Sequence, residues 1–176
     1  MRRRSPNMTR APNPFTLAHG ISWTLIWAAL DQTSKWAVVH YYGFQTYQSL
    51  AVLPFLDITL VWNTGISYGI LEGSGDTGRW FLSAIAVFAI GLFLWFLKDG
   101  ETRLSGMGYG LLAGGALGNL VDRLWYGAVV DFISLHWAGF YWYVFNLADV
   151  WITLGVGLLL LQIWHERKKP QKDVPQ

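Results

Sequence analysis

The sequence contains no cysteine. Disulfide staples, thiolate metal sites and a cysteine nucleophile are therefore excluded. Its four histidines, His19, His40, His136 and His165, show no HExxH or comparable spacing, so no metal site and no cofactor are expected. Charge is also sparse: 14% of the 176 residues are charged against 53% hydrophobic. A net charge of +2 is too small to suggest nucleic acid as a partner. So apolar a chain reads as a membrane protein, and its eleven Trp and eight Tyr suit the membrane–water boundary.

Four apolar stretches alternate with polar ones. Residues 1–14 mix arginines with Pro6, Pro12 and Pro14 and read as a basic cytoplasmic tail. The spans are expected at about 16–38, 80–97, 104–124 and 144–164, within a single unit covering 15–165. The first reads as an anchor rather than a removable signal, because Trp27 to Lys35 offers no small-x-small cleavage site. Outer segments are expected at 39–79 and 125–143. The former holds a strand-like run from Phe55 to Trp62, then Asn63-Thr64-Gly65 and several glycines. Lys98 to Arg103 forms a short turn that makes spans two and three a hairpin. Gly106, Gly110, Gly114 and Gly118 form a stripe on span three that lets another helix approach closely. Residues 166–176 form a second basic tail. Ten of the thirteen Lys and Arg fall on the side of the two tails and this turn, which puts both termini in the cytoplasm. The fold class expected is a four-helix membrane protein with a small outer β-rich element and a short outer segment over the site.

Polar groups are costly at membrane depth, and here they gather near the outer ends of the spans: Asp31, Lys35, Asn63, Asn119, Asp122, Arg123, Asp131, Asn146 and Asp149. Each has a structural reading. Asp31 and Lys35 suit an interfacial (i, i+4) pair, and Asn63 suits a turn. Asn119 could bridge helices, Asp122 and Arg123 could close a helix end as an ion pair, and Asn146 with Asp149 could cap span four. Asp131 is harder to explain structurally, since it interrupts the strand-like apolar run Val129-Val130-Asp131-Phe132-Ile133. Asp149 sits in the first turn of an apolar helix. Two such carboxylates brought together cannot both ionise cheaply, so they form an acid and a base able to activate water. With no thiol, no metal set and no Gly-x-Ser-x-Gly nucleophile elbow expected, this pair is the most economical hydrolytic machinery.

At these residues the chain resembles the lipoprotein signal peptidase (signal peptidase II) family. The matching stretches are Asp31-Gln32-Thr33-Ser34-Lys35, Asn63-Thr64-Gly65, Gly118-Asn119-Leu120-Val121-Asp122-Arg123, Val129-Val130-Asp131-Phe132 and Phe145-Asn146-Leu147-Ala148-Asp149, in the family's order. The resemblance implies an aspartyl peptidase of the bacterial inner membrane, acting as a monomer among membrane lipid. Its substrates would be diacylglyceryl-modified prolipoproteins, cut before the lipidated cysteine. It makes Asp131 and Asp149 the catalytic pair, with Asn119, Arg123 and Asn146 positioning substrate and pair, and Asp31, Lys35, Asn63 and Asp122 supporting or lining the site. It also implies a small sheet at about 41–78 and a short helical segment at 125–143. Ile66, Ser67 and Tyr68 depart from the family's small residues followed by Phe, which bears on substrate or inhibitor preference. The rival readings are a small ion- or proton-coupled transporter and a non-enzymatic assembly factor using the glycine stripe.

Overall fold

The computed structural model describes residues 17–65, 75–99 and 102–168. The N-terminal basic segment, Ile66 to Tyr68 and the polar tail after Lys168 lie outside the described residues. Helix α1 (Leu17–Trp36) runs on into a π-helical turn (Ala37–Tyr41) and is followed by strands β1 (Ser49–Leu53) and β2 (Leu56–Asn63). Helices α2 (Gly75–Asp99) and α3 (Arg103–Trp125) form the expected hairpin. Thr102 caps α3, accepting from the Ser105 backbone N–H while Ser105 answers with its hydroxyl. Strands β3 (Val129–Trp137) and β4 (Phe140–Tyr141) then lead to α4 (Leu147–Lys168).

Helix α3 is the axis of the bundle. The other three helices pack on it, whereas α2 and α4 barely meet each other. The sequence allows this because α3 carries two glycine faces. A Cβ on Gly114 would lie 2.7 Å from Trp27 Cβ of α1, and one on Gly118 would collide with the Asp31 carboxylate. On the other face, a Cβ on Gly108 would sit 2.9 Å from Leu159 of α4, and one on Gly115 would collide with the Ala148 carbonyl. The stripe is thus used within the chain, against α1, which removes the feature that favoured an assembly factor.

Large apolar side chains cover the outside of the bundle, among them Leu25 and Leu30 on α1, Phe81 and Phe88 on α2, and Leu154 and Leu160 on α4. Among the described helices, α2 and α4 are long and apolar enough to cross a membrane. Helices α1 and α3 have similar lengths but hold Asp31, Lys35, Asn119 and Asp122 between them, which lowers their apolar content.

One expectation fails. Residues 125–143 form no helical segment; they supply β3 and β4, and the sheet runs β1-β2-β3-β4, antiparallel throughout. The reason is visible in β3: Val130 and Phe132, two residues apart, share one face and pack with Leu60 of β2 and Val38 of the π-helical turn. The opposite face carries Asp131. The boundary of the last helix also shifts, from 144 to Leu147, because Phe145 pairs with Ile133 of β3.

Gly118→Ala should lower stability in detergent by about 1–3 kcal/mol or more, because the added methyl meets a buried carboxylate with no room to retreat. Gly91, whose Cβ would meet nothing within 4 Å, is the control: Gly91→Ala should change stability by less than about 1 kcal/mol. Thermal unfolding of both variants reads the difference.

Candidate active site

Lys35, in the last turn of α1, is 2% exposed. Its ammonium has three protons and three acceptors: Asp31 at 2.8 Å, Asp122 at 2.8 Å and the Asn119 side-chain carbonyl at 2.9 Å. Both carboxylates are fully buried. Asp31 also accepts the Ala148 backbone N–H of α4 at 2.8 Å, and Asp122 accepts the Val130 backbone N–H of β3 at 3.0 Å. Gln32 adds donor contacts to Asp122 (2.8 Å), the Gly118 carbonyl (3.0 Å) and Asp31 (3.3 Å). One cation thereby ties together α1, α3, the start of β3 and the start of α4.

The Lys35 contact also fixes which way Asn119 points. With its oxygen turned to the ammonium, its amide N–H donates to Asp149 Oδ1 at 3.1 Å. The other Asp149 oxygen accepts the Asn146 backbone N–H at 3.2 Å, while Asn146 Oδ1 accepts the Asp149 N–H at 3.1 Å, a reciprocal cap on α4. Asn146, fully buried, spends its two amide protons on Asn119 Oδ1 (3.2 Å) and on Asp131 Oδ1 (2.5 Å). The second Asp131 oxygen accepts from Asn63 at 2.9 Å. Asn63 sits diagonally across the β2–β3 ladder on the same face, and its own oxygen accepts the Gly65 N–H at 3.0 Å, closing a turn. Asp131 and Asp149 therefore share one bridging residue, Asn146. Burial, then the nearby Asp149 charge, pushes the Asp131 carboxyl up to about 7, against the opposing pull of the Asn63 and Asn146 hydrogen bonds.

All nine residues singled out from the sequence meet in this network or at its edge. Arg123 is at the edge, donating to the Gly65 carbonyl at 3.3 Å and to Asn119's own carbonyl at 3.5 Å. Two readings change. The (i, i+4) pair of Asp31 and Lys35 forms as expected but is buried and shared with Asp122, and Asp122 pairs with Lys35 rather than with Arg123. Two contributors were missed. Gln32 lay within a matching stretch but carries no charge to draw notice, and Arg79 of α2 caps the end of α3 through the Arg123 (2.7 Å) and Leu124 (2.9 Å) carbonyls. One exclusion was too strong: Gly65-Ile66-Ser67-Tyr68-Gly69 does carry the letters of a nucleophile elbow. An elbow runs from a strand through the serine into a helix. Asn63 and Gly65 instead close a turn as β2 ends, and Ser67 itself lies outside the described residues.

The family model described as signal peptidase (SPase) II matches residues 23–165. The chain belongs to the signal peptidase II family. It is 44% identical over 160 residues to the lipoprotein signal peptidase of Methylorubrum extorquens (strain PA1), covering 88% of this chain and 91% of that one. It is 45% identical over 149 residues to that of Rhodopseudomonas palustris (strain ATCC BAA-98 / CGA009), covering 80% and 88%. A solved bacterial membrane enzyme, determined by the in meso method at 2.3 Å, superposes with a TM-score of 0.78 at 27% identity, over 90% of this chain and 95% of that one. This signal peptidase II chain is accordingly a membrane peptidase of mostly helical fold with a small antiparallel sheet.

Lys35→Met should cost about 3–5 kcal/mol, since it leaves two buried carboxylates without their shared cation. Lys35→Met combined with Asp31→Leu should recover part of that loss. Denaturant titration in detergent micelles measures both.

Proposed function

We propose that this protein removes signal peptides from diacylglyceryl-modified prolipoproteins, cutting before the lipidated cysteine by aspartyl-type activation of water between Asp131 and Asp149. The observation that carries the reading is the bridge through Asn146, which joins two carboxylates from different elements and presents them as a coupled pair. Such a pair holds one proton between its members. Asp149, with the positive end of α4 beside it, suits the ionised role; Asp131, which burial and the Asp149 charge push up to about 7, suits the protonated one.

In the first step Asp149 takes a proton from water, whose oxygen attacks the scissile carbonyl carbon. The Asp131 proton meets the developing oxyanion, giving a neutral tetrahedral diol. Collapse breaks the C–N bond: Asp149 gives its proton to the leaving nitrogen while Asp131 takes back a proton from a diol hydroxyl, which restores the pair, and no covalent enzyme intermediate forms. Asn119, Asn146 and Asn63 hold the two carboxyls apart and in orientation, and Arg123 supplies a fixed positive charge nearby.

The same reading takes residues 15–165 as one four-span unit in the bacterial inner membrane, with both tails cytoplasmic and the sheet and carboxylate pair near the outer face. Two features support it: the apolar outer surface on α1, α2 and α4, and the basic residues Lys98, Arg103, Arg167 and Lys168 at the end of α2, the start of α3 and the end of α4. Asp31, Lys35 and Asp122 then act as structural support for the pair rather than as ion-handling groups, because each is already saturated with partners. That weakens the transporter alternative.

Purified protein should cleave a diacylglyceryl-modified prolipoprotein, and Asp131→Asn and Asp149→Asn should each lower turnover about 10²–10⁴-fold while still folding. Ser67→Ala, the control for the elbow letters, should retain activity. The pH profile adds a sign: the reaction needs one proton on the pair, so kcat/KM should fall as pH rises through about 7, where Asp131 ionises. Activity that climbs steadily to pH 9 would contradict a protonated Asp131.

A further inference from the structure

Helix α3 ends at Trp125, and the chain reverses through Tyr126, Gly127 and Ala128 into β3, whose third residue is Asp131. The last carbonyls of a helix have no partner within it. Here the Asp122 carbonyl accepts the Tyr126 N–H at 2.7 Å and the Arg123 carbonyl accepts the Gly127 N–H at 3.2 Å. Arg79, half-buried and reaching over from α2, completes the set. Its Nε donates to the Arg123 carbonyl at 2.7 Å and its Nη2 to the Leu124 carbonyl at 2.9 Å. The same guanidinium lies along Gly127, which is left-handed at φ 80°; a Cβ there would sit 3.6 Å from Arg79 Nη1.

Resting on the peptidase reading above, we infer that Arg79 is a positioning residue for the reaction: by holding the main chain of Arg123 it sets where the Arg123 guanidinium stands beside Asp131 and Asp149.

The side chain of Arg123 has little else to fix it. Its own bonds are long, 3.3 Å to the Gly65 carbonyl and 3.5 Å to the Asn119 carbonyl, and both acceptors are neutral. Among the described residues no carboxylate pairs with it, because Asp122 is taken by Lys35 while asparagine amides hold Asp131 and Asp149. A side chain held so loosely takes its place from its backbone, and Arg79 grips that backbone. A planar fork that donates through two nitrogens to two consecutive carbonyls fixes orientation as well as position, which the single ammonium of a lysine does not. A cation there also suits the negative end of α3. The bundle has other locks: Lys35 holds α3 through Asp122 and Asn119, and the glycine faces hold it against α1 and α4. Loss of Arg79 therefore falls on catalysis more than on folding, since a shift of about 1 Å in a group beside the reacting atoms can cost about 10²-fold in rate.

The test is cleavage of a diacylglyceryl-modified prolipoprotein by the full-length protein in detergent, with kcat and KM separated and thermal unfolding run alongside. Arg79→Gln should lower kcat about tenfold with KM within about twofold, and Arg79→Lys should restore only part of the loss. In an Arg123→Gln background the Arg79→Gln change should cost less than about a further twofold, because the group it positions is gone. Arg103→Gln, which removes an exposed cation at the opposite end of α3, is the control and should leave kcat unchanged. Full kcat in Arg79→Gln, complete rescue by lysine, or an undiminished loss on top of Arg123→Gln would overturn the inference while leaving the peptidase reading intact. If Arg79→Gln does not fold, Arg79→Lys and its cycle with Arg123→Gln decide. A folded wild type that cleaves nothing would overturn the peptidase reading itself, and a catalytic role for Arg79 would fall with it.

Discussion

The structure depends on one buried ammonium. Lys35 is enclosed by two carboxylates and a side-chain carbonyl, each within 2.9 Å, and every proton it carries has a destination. A lone cation at this depth would be prohibitively costly, and so would either aspartate alone. One positive charge between two negative ones still leaves an excess, which is spread over the backbone N–H groups of Ala148 and Val130 and the Gln32 amide. Those backbone donors belong to α4 and β3, the elements that carry Asp149 and Asp131. Neutralising the ion cluster and placing the proposed pair are thus one structural event.

This arrangement explains why the pair comes from a strand and a helix start. A strand anchored at Val130 by Asp122 presents Asp131 on the face away from the Val38, Leu60, Val130 and Phe132 cluster, so its direction is set by the pleat. A helix anchored at Ala148 by Asp31 presents Asp149 in its first turn, where free N–H groups and the dipole favour a negative charge. Asn146 is both the cap of that helix and the bridge to Asp131, so the local rule that starts α4 also sets the spacing of the two carboxylates.

Much of this was legible in the sequence, for identifiable reasons. Polar residues at the ends of apolar stretches are expensive enough to be noticed, and the Asn146 and Asp149 spacing reads directly as a cap. The glycine stripe predicted a close helix contact, and α1 supplies it. What escaped notice has no local signature. Whether Asp122 pairs with its neighbour Arg123 or with Lys35, 87 positions earlier in the chain, is decided by how α1 crosses α3, which the spacing of either helix alone does not reveal. The membership of β3 in the same sheet as β2 is likewise a long-range pairing, and an isolated run such as Val129 to Ile133 cannot name its partner strand. Gln32 is uncharged and sits one residue from a more conspicuous aspartate, although it touches three groups.

At Asp131 the fold and the proposed reaction favour the same protonation state. A carboxyl whose folded pKa is about 7, above its ordinary value near 4, is favourable to folding while protonated; that contribution is complete at acid pH and is lost as pH rises through about 7. At neutral pH the site therefore holds a group the fold would prefer to protonate, which is the condition for a proton donor in a shared pair. The charges that lock the helices together, those of Asp31, Lys35 and Asp122, are a separate set, fully paired and lying behind Asn119. Asn119 is the partition between the two sets, facing the ammonium with its oxygen and Asp149 with its nitrogen. Separating the charges that hold the bundle from those proposed to react lets the pair exchange protons without loosening the fold that presents it.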